Sequence, residues 1–182
     1  MSAGTIDAEL LQRVLAPYKP DARYVHHAEL IFSGDGGGPR HDAPASWLRL
    51  ACRCGFELPC YIEATGHLNA VECNITYNQM LYLCLAEAVR RGLLPELLHW
   101  TLDEFFRRQL PDVLIADYRV RFLRPLASAR YTAWFTITGV LPKPHRDLLL
   151  LTTRAGFRDD NGGASELDAT IALVRWQPPP TA

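Results

Sequence analysis

Hydrophobic and polar positions along the 182-residue chain change period several times, and each change marks an element. Over residues 7–16, Leu10, Leu11, Val14 and Leu15 fall on one side of a short helix that Pro17 stops. Residues 23–33 are rich in Tyr, Val and Ile and read as a strand. Residues 34–44 (GDGGGPRHDAP) form a loop. In 47–56, Leu48, Leu50, Cys52 and Cys54 alternate with Trp47, Arg49, Ala51 and Arg53, the period of a half-buried strand. The period then becomes helical. Val71, Ile75, Asn78, Tyr82, Leu85 and Val89 recur at steps of 4, 3, 4, 3 and 4, predicting a long helix over 70–92 with Gly92 at its end. This stripe points Asn78 into the core. A second helix over 95–109 carries Leu97, Leu98, Trp100, Leu102, Phe105 and Phe106. Strands follow over 113–124, 130–140, 148–158 and 166–176, with Asp160-Asn161-Gly162-Gly163 as the hairpin turn between the last two. The proline-rich tail, about 177–182, reads as a disordered end.

The order is therefore helix, two strands, a long helix, a shorter helix and four strands. An antiparallel sheet must cover its apolar face, and the long helix is the one element large enough to do so. The expected fold is α+β, a single hot-dog domain over 1–182 whose sheet wraps a central helix. An ordinary α+β sandwich has the same element string.

Composition narrows the function. The chain is 48% hydrophobic and 21% charged with a net charge of −1, and no basic stripe favours nucleic acid. No segment has the apolar length of a membrane span, and residues 1–15 lack the basic start and apolar run of a signal peptide, so a cytoplasmic location is expected. Cys52, Cys54, Cys60, Cys73 and Cys84 are expected as free thiols. Cys52-x-Cys54, with Cys60 and His41 nearby, lacks a second close ligand pair, so no metal and no cofactor are expected.

Candidate chemistry concentrates at Tyr61–Asn78. Asn69 followed by Glu72 has the spacing of a capping box, which by itself needs no further role. A capped helix start also offers amide N–H groups and a positive dipole end to a developing oxyanion. An amide at Asn78, if buried, needs a strand or a substrate as partner. His67, next to Gly66, is of the residue type most often used as a general base, though a lone histidine at a helix end is more often structural. Tyr18, Tyr61 and Thr65 have no reading of their own. On 113–124, period 2 places Arg124 with Val120 and Phe122, and Arg119 and Arg121 on the other face. Walker loops, dinucleotide fingerprints, GxSxG elbows and HExxH pairs are absent.

The run Tyr61-Ile-Glu-Ala-Thr-Gly-His-Leu-Asn-Ala-Val-Glu72, continuing to Tyr77-Asn78-Gln79, resembles the FcoT-type acyl-thioester enzymes. The segments Leu15-Ala-Pro-Tyr18, Arg121-Phe-Leu-Arg-Pro-Leu126 and Asp160-Asn-Gly-Gly163 extend the likeness over most of the chain. The resemblance implies a hot-dog protein whose acyl-binding and catalytic positions fall on Tyr18, Tyr61, Asn69 and Asn78. It also implies, through relatives in pathways to β-amino-acid starters and isonitrile lipopeptides, addition of glycine to the β-carbon of an α,β-unsaturated fatty acyl thioester, with release of an N-carboxymethyl-3-amino acid. His67 would then be the base. The amides of Asn69 and Ala70 would hold the oxyanion, and Arg124 or Arg121 the glycine carboxylate. Ile75, Tyr82, Trp100, Phe105 and Phe106 would line the acyl slot. Two readings compete: plain hydrolysis of a long-chain acyl-CoA with Glu72 as the rival base, and a non-catalytic acyl-binding module. The implied partners are an acyl thioester on acyl carrier protein or CoA, glycine, and at least one further copy of the chain.

Overall fold

The computed structural model describes residues 3–32, 48–63 and 65–179. The loop expected over 34–44, Trp47 and His41 lie outside these. The described elements are β1 (Ala3–Thr5), α1 (Ala8–Leu15), β2 (Val25–Phe32), β3 (Leu48–Cys54), α2 (Ala70–Arg91), α3 (Leu102–Arg108), β4 (Val113–Arg124), β5 (Tyr131–Lys143), β6 (Leu148–Arg158) and β7 (Ala164–Val174). They form one antiparallel sheet in the order β1-β2-β3-β5-β6-β7-β4, curled around α2. No helix among the described residues is long and apolar enough to cross a membrane.

Alternation in the strands decides which face is covered. Leu48, Leu50, Cys52 and Cys54 of β3 face inward, as their spacing predicts, and β7 alternates throughout its length. These residues join α2 in one core with Leu30, Phe135, Leu151, Phe157 and Ile171. Each such side chain removed from water contributes about 1.5–3 kcal/mol.

The central helix has the predicted length, from the Asn69 cap to Gly92, whose φ of 62° is the left-handed stop that glycine adopts without strain. Its core face differs from the predicted stripe. Val71 is 44% exposed and Asn78 only half-buried, whereas Cys73, Thr76, Tyr77, Gln79 and Met80 are buried. The buried side reads as polar because its polar atoms are satisfied inside. Tyr131 donates to the Thr76 hydroxyl (2.7 Å), which itself donates to the Glu72 carbonyl. Tyr77 donates to Thr153 (2.6 Å), which donates to the Ala169 carbonyl. Gln79 Oε1 accepts from the amides of Tyr24 and Val25 at 3.0 Å each, and its Nε2 donates to the Ala22 carbonyl at 2.6 Å. The amide that locks α2 to the start of β2 is thus Gln79, not its neighbour Asn78, which donates to Asn74 at 3.3 Å.

The helix predicted over 95–109 is broken. Pro95–Leu97 is a single 3₁₀ turn, and α3 starts afresh at Thr101, whose hydroxyl accepts from Glu104 N. A threonine cap inside an apolar run outweighed its period. The last hairpin forms where expected, with Asp159 as its organiser. One carboxylate oxygen accepts from Asn161 N and Gly163 N, the other from Ala127 N. A Cβ on Gly163 would stand 2.4 Å from the Pro125 carbonyl oxygen, so the turn rests directly on the segment leaving β4.

Candidate active site

The chain before α2 turns at Gly66, with φ +74°, and is stitched to the segment after β4. His67 makes an isolated bridge with Ala127, and Leu68 N donates to the Leu126 carbonyl at 2.7 Å. The hydroxyl of Thr65 donates to the His67 carbonyl, while His67 Nδ1 lies 3.0 Å from the Thr65 carbonyl oxygen. A carbonyl only accepts, so Nδ1 carries the proton. In the neutral ring the free lone pair is therefore on Nε2. The imidazole is exposed, and its orientation is fixed by its own turn.

The capping box predicted from Asn69 and Glu72 is present. Asn69 Oδ1 accepts from Val71 N at 2.9 Å, and Glu72 Oε2 accepts from Asn69 N at 3.2 Å. This assigns the amides more narrowly than spacing did. The Asn69 N–H is consumed by Glu72, while the Ala70 N–H has no partner among the described residues. Asn69 Nδ2 reaches outward to the Tyr61 hydroxyl at 2.6 Å. Desolvation, with a further push from the Glu72 carboxylate, raises the Tyr61 phenol above its ordinary range despite the Asn69 bond. Tyr61 therefore accepts from Asn69 and keeps its proton to donate elsewhere.

His67, Leu68, Asn69 and Ala70 form one wall of an open cavity of about 450 Å³, and Phe122, Leu123, Arg124 and Pro125 form the other. A base, an unspent helix-start amide and a cation thus meet an apolar wall. Of the two arginines proposed for this place, the cavity takes one. Arg121 stands opposite Glu166 on the outer face and bonds its carboxylate at 3.1 Å. Arg124 departs from period 2 because β4 bulges between Phe122 and Arg124. It pairs with Ala164, off the face shared with Val120 and Phe122, and its guanidinium lies against the Gly162 turn. Among the described residues no carboxylate pairs with it.

The other predicted residues are spread out. Glu72 is fully buried beneath Asn69, with Oε1 unpartnered, and does not line the cavity. Tyr18 is half-buried, with burial and then neighbouring Tyr82 pushing its hydroxyl up. Tyr82 lies 13 positions along α2 from Asn69, about 20 Å at 1.5 Å per residue. Ile75, Tyr82, Trp100, Phe105 and Phe106 do not line the cavity; Phe105 is sealed in the core against Phe106. Its apolar wall comes instead from Leu68, Phe122 and Leu123, which periodicity did not single out. The bulge that aims them leaves no mark in sequence. Tyr24 was also missed. Its ring stacks on Phe56, and its hydroxyl is buried without a partner.

The fold and the motif both have known counterparts. Two crystal structures provisionally described as thioesterases superpose over nearly the whole chain. One, from Shewanella oneidensis, has a TM-score of 0.54 at 12% identity and covers 92% of this chain and 99% of its own. The other, from Syntrophus aciditrophicus, has a TM-score of 0.52 at 10% identity and covers 91% and 95%. They show the hot-dog fold. In sequence, a protein of Streptomyces coeruleorubidus named (2E)-enoyl-[ACP] glycyltransferase is 36% identical over 173 residues, 92% of this chain and 97% of that one. A protein of the same name from Mycobacterium marinum is 32% identical over 178 residues, covering 95% and 90%. Residues 13–173 match the FcoT-like thioesterase domain. The chain belongs to the FcoT-like thioesterase family.

Proposed function

We propose that the protein adds the amine of glycine to the β-carbon of an α,β-unsaturated acyl thioester on an acyl carrier protein, then hydrolyses the thioester. The single observation that carries this reading is the cavity itself. His67, Ala70 and Arg124 line one cavity beside an apolar wall, the Ala70 amide and the Arg124 guanidinium having no partner among the described residues. In the addition, glycine's ammonium gives a proton to His67, and the freed nitrogen pair forms the bond to the β-carbon. The alkene electrons move through the α-carbon onto the thioester oxygen. There the Ala70 N–H and the positive end of α2 stabilise the charge, and the Tyr61 hydroxyl, which lies outside the cavity lining but is held by Asn69 Nδ2 at 2.6 Å, is the further donor. The α-carbon then takes the proton back. Arg124 holds the glycine carboxylate. In the second step water attacks the carbonyl against the same donors, and the carrier thiol leaves.

Names of the relatives support the substrate class. Against Glu72 as the base for simple hydrolysis stand its complete burial and its bond to Asn69 N. Its role in this reading is to hold the cap. The remaining assignments, Thr65 to orient His67 and Tyr18 and Asn78 to contact the acyl chain deeper along α2, belong to the same proposal. With an enoyl-carrier substrate, release of free acid is expected to depend on glycine, and Arg124→Met, assayed on the same enoyl chain carried by pantetheine, to raise the KM for glycine while leaving that for the thioester unchanged. Equal acid release with and without glycine would leave plain hydrolysis; no turnover of any thioester would leave only an acyl-binding module.

We also infer that two copies associate through β4. This strand has 12 residues and pairs with β7 on one side and with no described strand on the other. It leaves Leu114, Ile115, Phe122 and Leu123 exposed along that edge. Such an edge invites pairing with a second chain. Sedimentation should give the mass of at least two chains, and Ile115→Glu should return one; a monomeric parent would contradict the inference.

A further inference from the structure

Resting on the carrier-bound substrate just proposed, we infer that an acidic acyl carrier protein docks on the outer face of the sheet, over an arginine row that ends at the cavity mouth. The register builds this row. Arg53 of β3 pairs with Thr132 of β5, Thr132 with Arg158 of β6, Arg158 with Ala164 of β7, and Ala164 with Arg124 of β4. Arg53, Arg158 and Arg124 thus stand on alternate strands of one line across the sheet. At about 4.8 Å between strands, consecutive arginines are about 10 Å apart. Arg53 and Arg158 are exposed, and neither has a carboxylate partner among the described residues. Arg124 is both the last member of the row and a wall of the cavity.

Neighbouring charges leave the row positive. Glu166 and Asp168 are taken by Arg121 and Arg154, while Glu29, hydrogen-bonded to His27, stays beside Arg53 as the countercharge of the row's other end. Asp159 spends its oxygens on three backbone amides. Asp160, exposed at the turn, is the countercharge this end keeps. Beside the row, Trp134 lies flat over Gly156, where a Cβ would stand 2.5 Å from Nε1, and Arg49 stacks on the indole at 4.6 Å. The surface is therefore an aromatic platform beside guanidinium groups that have no carboxylate partner among the described residues, in a chain whose net charge is −1. A carrier protein that delivers a tethered acyl chain needs this arrangement: an anionic face beside the root of its arm meets fixed cations, and the arm enters where the cations end. The β4 edge, inferred above to pair with a second copy, lies two strands from Arg158 of β6 and four from Arg53 of β3, and leaves both open.

The test uses the double variant Arg53→Glu/Arg158→Glu, neither residue being part of the cavity, and two substrates with the same enoyl chain, one on a carrier protein and one on pantetheine. The variant should lose about 10-fold or more in kcat/KM on the carrier substrate, through KM, and lose nothing on the pantetheine thioester. At saturating glycine, only the parent's carrier reaction should weaken with salt. An unchanged carrier reaction, or an equal loss on both substrates, would overturn the docking face while leaving the proposed reaction standing. Failure of the parent protein to turn over either thioester would overturn both.

Discussion

Replacing His67 by alanine is expected to slow formation of the glycine adduct by about 10²- to 10⁴-fold, the range a positioned general base contributes. The thermal midpoint should be unchanged, because the imidazole is exposed and bonds only to its own turn at Thr65. The size of the effect follows from the tautomer. The Thr65 carbonyl oxygen can only accept, so it holds the proton on Nδ1 and leaves Nε2 free to take one from the incoming ammonium. His67→Gln, which has no basic nitrogen, should be as slow as alanine; activity in either variant near that of the parent would remove His67 from the mechanism.

The second large effect is expected at Asn69, where one side chain has two jobs that substitutions separate. Its Oδ1 caps α2 and its Nδ2 holds the Tyr61 hydroxyl. Asn69→Ala loses both. The protein should be destabilised by about 1 kcal/mol for the lost cap, and kcat should fall about 10²- to 10³-fold if the donors at the thioester oxygen are misplaced. Asn69→Ser can still cap through its hydroxyl but has no Nδ2. Its thermal midpoint should therefore return toward the parent's while kcat stays low. Recovery of both in the serine variant would mean that the cap alone matters and that Tyr61 needs no anchor.

Much of this arrangement is legible in the chain itself. The β3 alternation, the length of α2, its Asn69–Glu72 cap and its Gly92 stop follow from local rules, because each depends on near neighbours in sequence. The rest depends on tertiary partners. Asn78 and Gln79 are adjacent amides on one helix, and only the strands around them decide that Gln79 is buried. The polar core face of α2 breaks the expected stripe because Tyr131, Thr153 and the backbone of residues 22–25, all distant in sequence, supply its hydrogen bonds. In the site, Asn69 was readable because a cap is local. Arg124 was reassigned by a bulge, and Phe122 and Leu123 became cavity walls through the same irregularity, which period 2 cannot express. His67 lay between these cases. The role proposed for it comes from resemblance, while the bond that fixes its tautomer comes from two residues upstream.

The most direct test of the central claim is the mass of the acid released from an enoyl-carrier substrate in the presence of isotopically labelled glycine. The account predicts a released acid that carries both the labelled carbons and the labelled nitrogen of glycine, at a rate that collapses in His67→Ala. Release of the unmodified enoic acid, unlabelled and at the same rate without glycine, would contradict it.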